Sequence, residues 1–136
     1  MANDNIPKQI LKGFRVLIVE DDPDTRDLYN IIFEEVGAEI ITVTFASEAL
    51  DIIESYEVDI VISNITLPDG DGCLLVREIK ARLAQRGKNI SAIAVTGATG
   101  DDARIRSLAA GFQKHLSKPV DIDDLVKVVA NLTEPR

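Results

Sequence analysis

Hydrophobic positions along the chain follow two alternating rhythms. The runs FRVLIVE (14–20), AEIITV (38–43), VDIVISN (58–64) and ISAIAVT (90–96) are short, nearly unbroken and rich in β-branched residues, the pattern of strands covered on both faces. A shorter and more polar run, FQKHLS (112–117), predicts a fifth strand. Between the runs, apolar residues recur every three or four positions, which predicts helices. The first helix lies in DDPDTRDLYNIIFEEVG, with Asp22 as its N-cap, Pro23 at the first helical position and Gly37 past its end. A second, SEALDIIESY (47–56), is expected to be capped by Ser47, with Glu48 in the first turn, where the helix dipole favours an anion. CLLVREIKARLAQ (73–85) ends near Gly87, and DDARIRSLAAG (101–111) ends on Gly111 as its C-cap. The last helix, from Asp121, carries Ile122, Leu125, Val126, Val129 and Leu132 on one stripe.

Five strand–helix units in succession predict an α/β fold: a doubly wound parallel sheet with helices on both faces. Right-handed crossovers favour the strand order 2-1-3-4-5, a flavodoxin-like three-layer α/β/α arrangement. Residues 1–12 read as a flexible N-terminal tail and residues 13–136 as a single domain. In such a sheet the residues just beyond the strand ends converge on one edge.

Composition removes several function classes. Asp and Glu outnumber Lys and Arg by 23 to 15, for a net charge of −8. Such a surface repels phosphate backbones and anionic lipids, which excludes direct nucleic-acid and membrane binding. No apolar run reaches the roughly 20 residues of a membrane span, and MANDNIPKQILKG lacks an apolar signal-peptide core, so a cytoplasmic location is expected. Cys73 is the sole cysteine. It reads as a small packing residue, because no neighbouring histidine could activate it.

The strand ends carry the chemistry. The first ends in Glu20, Asp21 and Asp22, the third at Asn64, the fourth at Thr96, and the fifth at Ser117, Lys118 and Pro119. Adjacent carboxylates are hard oxygen ligands suited to Mg²⁺. A hydroxyl and an ammonium suit the oxygens of a phosphoryl group. Singly, each residue has a plain reading: the acidic run caps a helix, Lys118 is a surface lysine, and Thr96 belongs to a turn. Their placement on four ends of one sheet argues for a common site. Other enzyme readings fit less well. Asp69 and Asp71 lie too far past the strand end for a phosphatase pair, DGDGC lacks the third glycine of a dinucleotide fingerprint, and no P-loop lysine motif is present.

The segments VLIVEDDPDTR, DIVISNITLPDGDG, AIAVTGATG and AAGFQKHLSKPV, with the spacing among Thr96, His115 and Lys118, resemble the receiver domain of two-component response regulators from about Phe14 to Leu132. The resemblance implies a signalling module rather than an enzyme, one that takes a phosphoryl group from a histidine kinase or phosphotransfer protein. It implies that Glu20 and Asp21 serve Mg²⁺, together with position 64 and the backbone carbonyl of Thr66. Thr96 and Lys118 would engage the phosphoryl oxygens, and the Lys118–Pro119 peptide bond would be cis. Thr96 and His115 would form the switch, with His115 where the family often has Tyr or Phe. The wording AAGFQKHLSKPV resembles receivers attached to hybrid histidine kinases, and a monomer or weak dimer is expected.

Asn64 departs from the pattern, because it stands on the phosphoacceptor position, where the family has Asp. An amide is no nucleophile and removes one negative charge from the metal cluster. Phosphorylation at this position is therefore not expected, Mg²⁺ should bind weakly, and the domain should rest in its inactive packing. The alternative reading is a pseudo-receiver, an interaction module that never takes phosphate.

Overall fold

The computed structural model describes residues 7–97 and 101–133. Along the chain run β1 (Arg15–Val19), α1 (Pro23–Glu35), β2 (Glu39–Val43), α2 (Ala46–Ser55), β3 (Ile60–Ser63), β4 (Thr66–Leu67), β5 (Gly70–Asp71), α3 (Gly72–Ala84), β6 (Ser91–Thr96), α4 (Asp101–Ala110), β7 (Lys114–Ser117) and α5 (Ile122–Thr133). Five strands form one parallel sheet in the order β2-β1-β3-β6-β7. This is the expected 2-1-3-4-5 topology, because β6 and β7 are the fourth and fifth strands of the sheet. The antiparallel ribbon β4–β5 is an addition that no hydrophobic run announces.

Strand alternation divides the core in two. Val16, Ile18, Ile60, Ile62, Ile93 and Val95 face α1 and α5, where Phe33, Leu125, Val126 and Val129 cover them. Leu17, Val19, Val61, Ala92 and Ala94 face the other side, against Ala49, Ile53, Val76, Ile79 and Ala110 of α2, α3 and α4. Each fully buried aliphatic side chain contributes on the order of 1.5–3 kcal/mol of transfer free energy, so both layers are strongly held.

The helix ends follow local chemistry, with one correction. Asp22 caps α1 by accepting from the Thr25 amide at 2.9 Å, and Gly37 and Gly111 adopt the left-handed φ values of 88° and 115° that end α1 and α4. Ser47 does not cap α2, because it lies inside the helix, and Phe45 holds the cap position. Phe45 has no acceptor, so two carboxylates replace it. Glu48 reaches back to the amides of Thr44 and Phe45, and Asp69, from the turn between β4 and β5, accepts from Ala46 at 2.7 Å and Ser47 at 3.1 Å.

The expected tail also needs correction where it is described. Residues 7–12 form turns against the end of α1. Leu11 is 0% exposed, packs in the α1/α5 core, and donates its amide to Val36 O at 2.9 Å. A single leucine in a polar stretch gives no periodic signal, yet it closes the floor of that core. Leu11→Ala is expected to lower the unfolding free energy by about 3 kcal/mol, read from urea denaturation, whereas a tail residue would change it by less than about 0.5 kcal/mol.

Candidate functional site

Register brings the strand ends together. Val19 pairs with Ser63 and Thr96 with Ser117, and the ladders extend one step further. Asn64 donates its amide to Val19 O at 3.2 Å, Glu20 to Val43 O at 3.0 Å, and Lys118 to Thr96 O at 2.9 Å. Glu20 and Asn64 therefore stand on adjacent strands at the carboxyl edge, with Thr96 and then Lys118 on the next two. The Lys118–Pro119 peptide bond is cis.

Glu20 is the centre of the cluster. Only 1% exposed, it has ligands on both oxygens. Oε1 accepts from Lys118 Nζ at 3.0 Å, and Oε2 accepts from Asn64 Nδ2 at 2.7 Å and from the Asp22 amide at 3.1 Å. Asn64 Nδ2 also donates to Asp21 Oδ1 at 3.2 Å. One amide group thus bridges both carboxylates. Nearby, burial and the charge of Glu20 push the Tyr29 phenol up to about 12, so it stays protonated.

Asp21, Asn64, Thr66, Thr96, Gly97 and Lys118 line an open depression of about 350 Å³. Thr96 is buried at its rim, and the Thr66 side chain is exposed on β4. His115 lies away from this opening. It pairs in register with Ala94, on the sheet face covered by α2, α3 and α4, and its Nδ1 lies 2.9 Å from Ser107 Oγ of α4.

Several residues that hold the site were not anticipated. Arg26 Nη1 donates to Glu20 O at 3.1 Å and to Thr44 Oγ1 at 2.8 Å, bracing the loop after β1. Its signal is weak, a cation one turn into a helix that follows an acidic run. Gly72 has a steric role: a Cβ there would lie 2.1 Å from Asn64 O, and its amide donates to Ile65 O at 2.6 Å. Only glycine lets α3 begin this close to β3. Asp71 caps α3 through the amides of Cys73 and Leu74 and is bonded by Arg106 of α4. Cys73 is buried, and burial pushes its thiol up, so it is an unreactive packing group.

With two carboxylates bridged by an amide and one ion-paired to lysine, the donor set fits a hard divalent cation poorly. Among the described residues no group of three or more His, Cys, Asp or Glu side chains converges in a metal-binding arrangement.

The family model of the response regulator receiver domain matches residues 16–130. An uncharacterised 14.6 kDa protein of Leptolyngbya boryana is 35% identical over 89% of the chain and 91% of its own length. Hybrid signal transduction histidine kinase D of Dictyostelium discoideum is 30% identical over 98% of the chain, which spans only 9% of that kinase. The crystal structure of a CheY-like receiver domain protein from Methanospirillum hungatei superposes with a TM-score of 0.77 at 32% identity, covering 90% of this chain and 94% of that one.

The capping carboxylates contribute stability that is lost in acid. The side chain and amide of Thr25 hold Asp22 below the ordinary carboxylate range, and the Ala46 and Ser47 amides do the same for Asp69. Burial pushes Asp71 up, but Arg106 and the amides of Cys73 and Leu74 outweigh it and hold it low. Folded values below the unfolded value of about 3.9 mean that the stabilisation is complete above it and is lost as pH falls through the folded values. Stability measured by urea denaturation is therefore expected to fall steeply below about pH 4. Asp69→Asn should be less stable at neutral pH and should show a shallower acid limb.

Proposed function

The chain belongs to the response regulator receiver domain family, and from that premise we propose that it is a signalling module that forms no acyl phosphate at position 64. Receiver domains interact with histidine kinases or phosphotransfer proteins and in general bind Mg²⁺ at the acidic site. The partner proposed here is of the same kind, a histidine kinase or phosphotransfer protein, met as a free domain or within a larger hybrid kinase. The observation that carries the proposal is the double hydrogen bond from Asn64 Nδ2 to Glu20 and Asp21.

The chemistry follows from that geometry. In-line attack on phosphorus needs a carboxylate oxygen at the strand end, with cations to offset the developing charge. Asn64 turns a donor toward the acidic pair and offers one neutral oxygen of low nucleophilicity. Lys118 is present but is committed to Glu20. The amide gives Glu20 and Asp21 a shared donor, so hydrogen bonds hold the two carboxylates together. Asn and Asp are nearly the same size, so an aspartate at position 64 fits the same strand end while adding the missing charge and nucleophile.

The test is Asn64→Asp with acetyl phosphate and Mg²⁺, read by intact mass. The variant should gain a hydroxylamine-sensitive phosphoryl adduct as the carboxylate displaces acetate, and the parent chain should stay unmodified. An unmodified variant beside a labelled control receiver would favour the pseudo-receiver reading, a module that never takes phosphate.

Metal dependence offers an independent check. Mg²⁺, followed by calorimetry, should bind the Asn64→Asp variant at least about tenfold more tightly than the parent, because a hard cation gains from each anionic ligand. Without metal, the variant places a third carboxylate against Glu20 and should melt below the parent. Mg²⁺ should recover that loss in the variant and leave the parent nearly unchanged.

A further inference from the structure

Tyr29 of α1 is 3% exposed, yet its hydroxyl has no hydrogen-bond partner among the described residues. A buried phenol ordinarily finds one, because an unpaired hydroxyl out of water is costly. The ring stands edge-on to Phe33, with centroids 6.4 Å apart. It borders an open cleft of about 480 Å³ between α1 and the segment that joins β7 to α5. Leu28, Pro119, Val120 and Ile122 supply the apolar walls, and Leu28 is 45% exposed. Thr25, Tyr29 and Lys118 supply the polar side chains. Two of these are committed elsewhere: Thr25 Oγ1 donates to Asp22 Oδ2, and Lys118 Nζ donates to Glu20 Oε1. Of the three, the phenol is left with a donor to offer.

Apolar walls around one placed polar group, in a space of this size, are the usual composition of a small-molecule site. The charges nearby narrow the occupant. Lys118 on the cleft wall disfavours a cation. Burial and the charge of Glu20 push the Tyr29 phenol up to about 12, so its proton stays in place, and the same charge disfavours an anion at the hydroxyl. We infer that this cleft is a binding site for a small, neutral ring molecule with one hydrogen-bond acceptor, its ring packed on Leu28, Val120 and Ile122 and its acceptor on the Tyr29 hydroxyl. The site is separate from the depression at the strand ends, although Lys118 lines both. A ring seated here rests on the Lys118–Pro119 segment, so its presence would be felt by the Lys118–Glu20 pair.

The probes are quinoline, whose ring nitrogen accepts a hydrogen bond, and naphthalene, which has the same two rings and no acceptor. Binding to the full chain is followed by methyl and amide NMR at neutral pH, where quinoline is uncharged. Quinoline should shift Leu28, Val120 and Ile122 saturably, with a dissociation constant on the order of 1 mM, ordinary for so small a ring. Tyr29→Phe should bind quinoline about fivefold more weakly, the worth of one hydrogen bond, and bind naphthalene as the parent does. It should also melt at the parent's temperature, since the phenol bonds to nothing in the fold. Leu28→Ser, at an exposed position, should weaken both probes. No saturable shift at the three wall residues would overturn the site. An unchanged quinoline affinity in Tyr29→Phe, or an equal loss of both probes, would overturn the role of the hydroxyl. A lower melting temperature for Tyr29→Phe would show that the fold itself uses the phenol, and would overturn the inference as well.

Discussion

A carboxylate that is 1% exposed has to be matched by donors, and the carboxyl edge of this sheet is organised around that requirement at Glu20. Its donors come from three places: Lys118 after β7, Asn64 after β3, and the amide of Asp22 at the start of α1. Each lies at a strand end that the parallel register has already brought level. The buried charge therefore couples three segments far apart in sequence. Losing one donor would leave part of a buried charge unmatched, which costs more than a surface ion pair is worth.

The residue at position 64 serves this requirement through its side-chain amide. As an amide, it gives the two carboxylates a shared donor without adding charge. An aspartate would add a third anion beside them and leave the cluster dependent on cations. The amide that joins the two carboxylates thus lets the site close on itself.

Around the cluster, helix ends are capped from other elements. Asp69 of the β4–β5 turn caps α2, and Asp71 both caps α3 and pairs with Arg106 of α4. The ribbon after β3 is therefore tied on two sides, and Gly72 lets it lie against Asn64. On the far side of β6, Ser107 and His115 join α4 to β7 by a bond that does not touch the acidic cluster.

The five strands of the main sheet, their alternation with helices and the placing of Glu20, Asp21, Asn64, Thr96 and Lys118 at strand ends follow from local pattern, because hydrophobic period acts over a few residues at a time. The asparagine at position 64 was also legible, since it is a matter of residue type. What the chain does with these residues was settled by tertiary contacts. Which oxygen of Glu20 faces lysine and which faces the amide, the capping of α2 by Asp69 instead of Ser47, the burial of Leu11 and the pairing of Ser107 with His115 all join residues distant in sequence or hidden within ordinary composition. Local propensity states what a residue can donate, accept or bury. Only the packed sheet and helices decide which partner stands within 3 Å of it, because that distance is set by register and layer spacing.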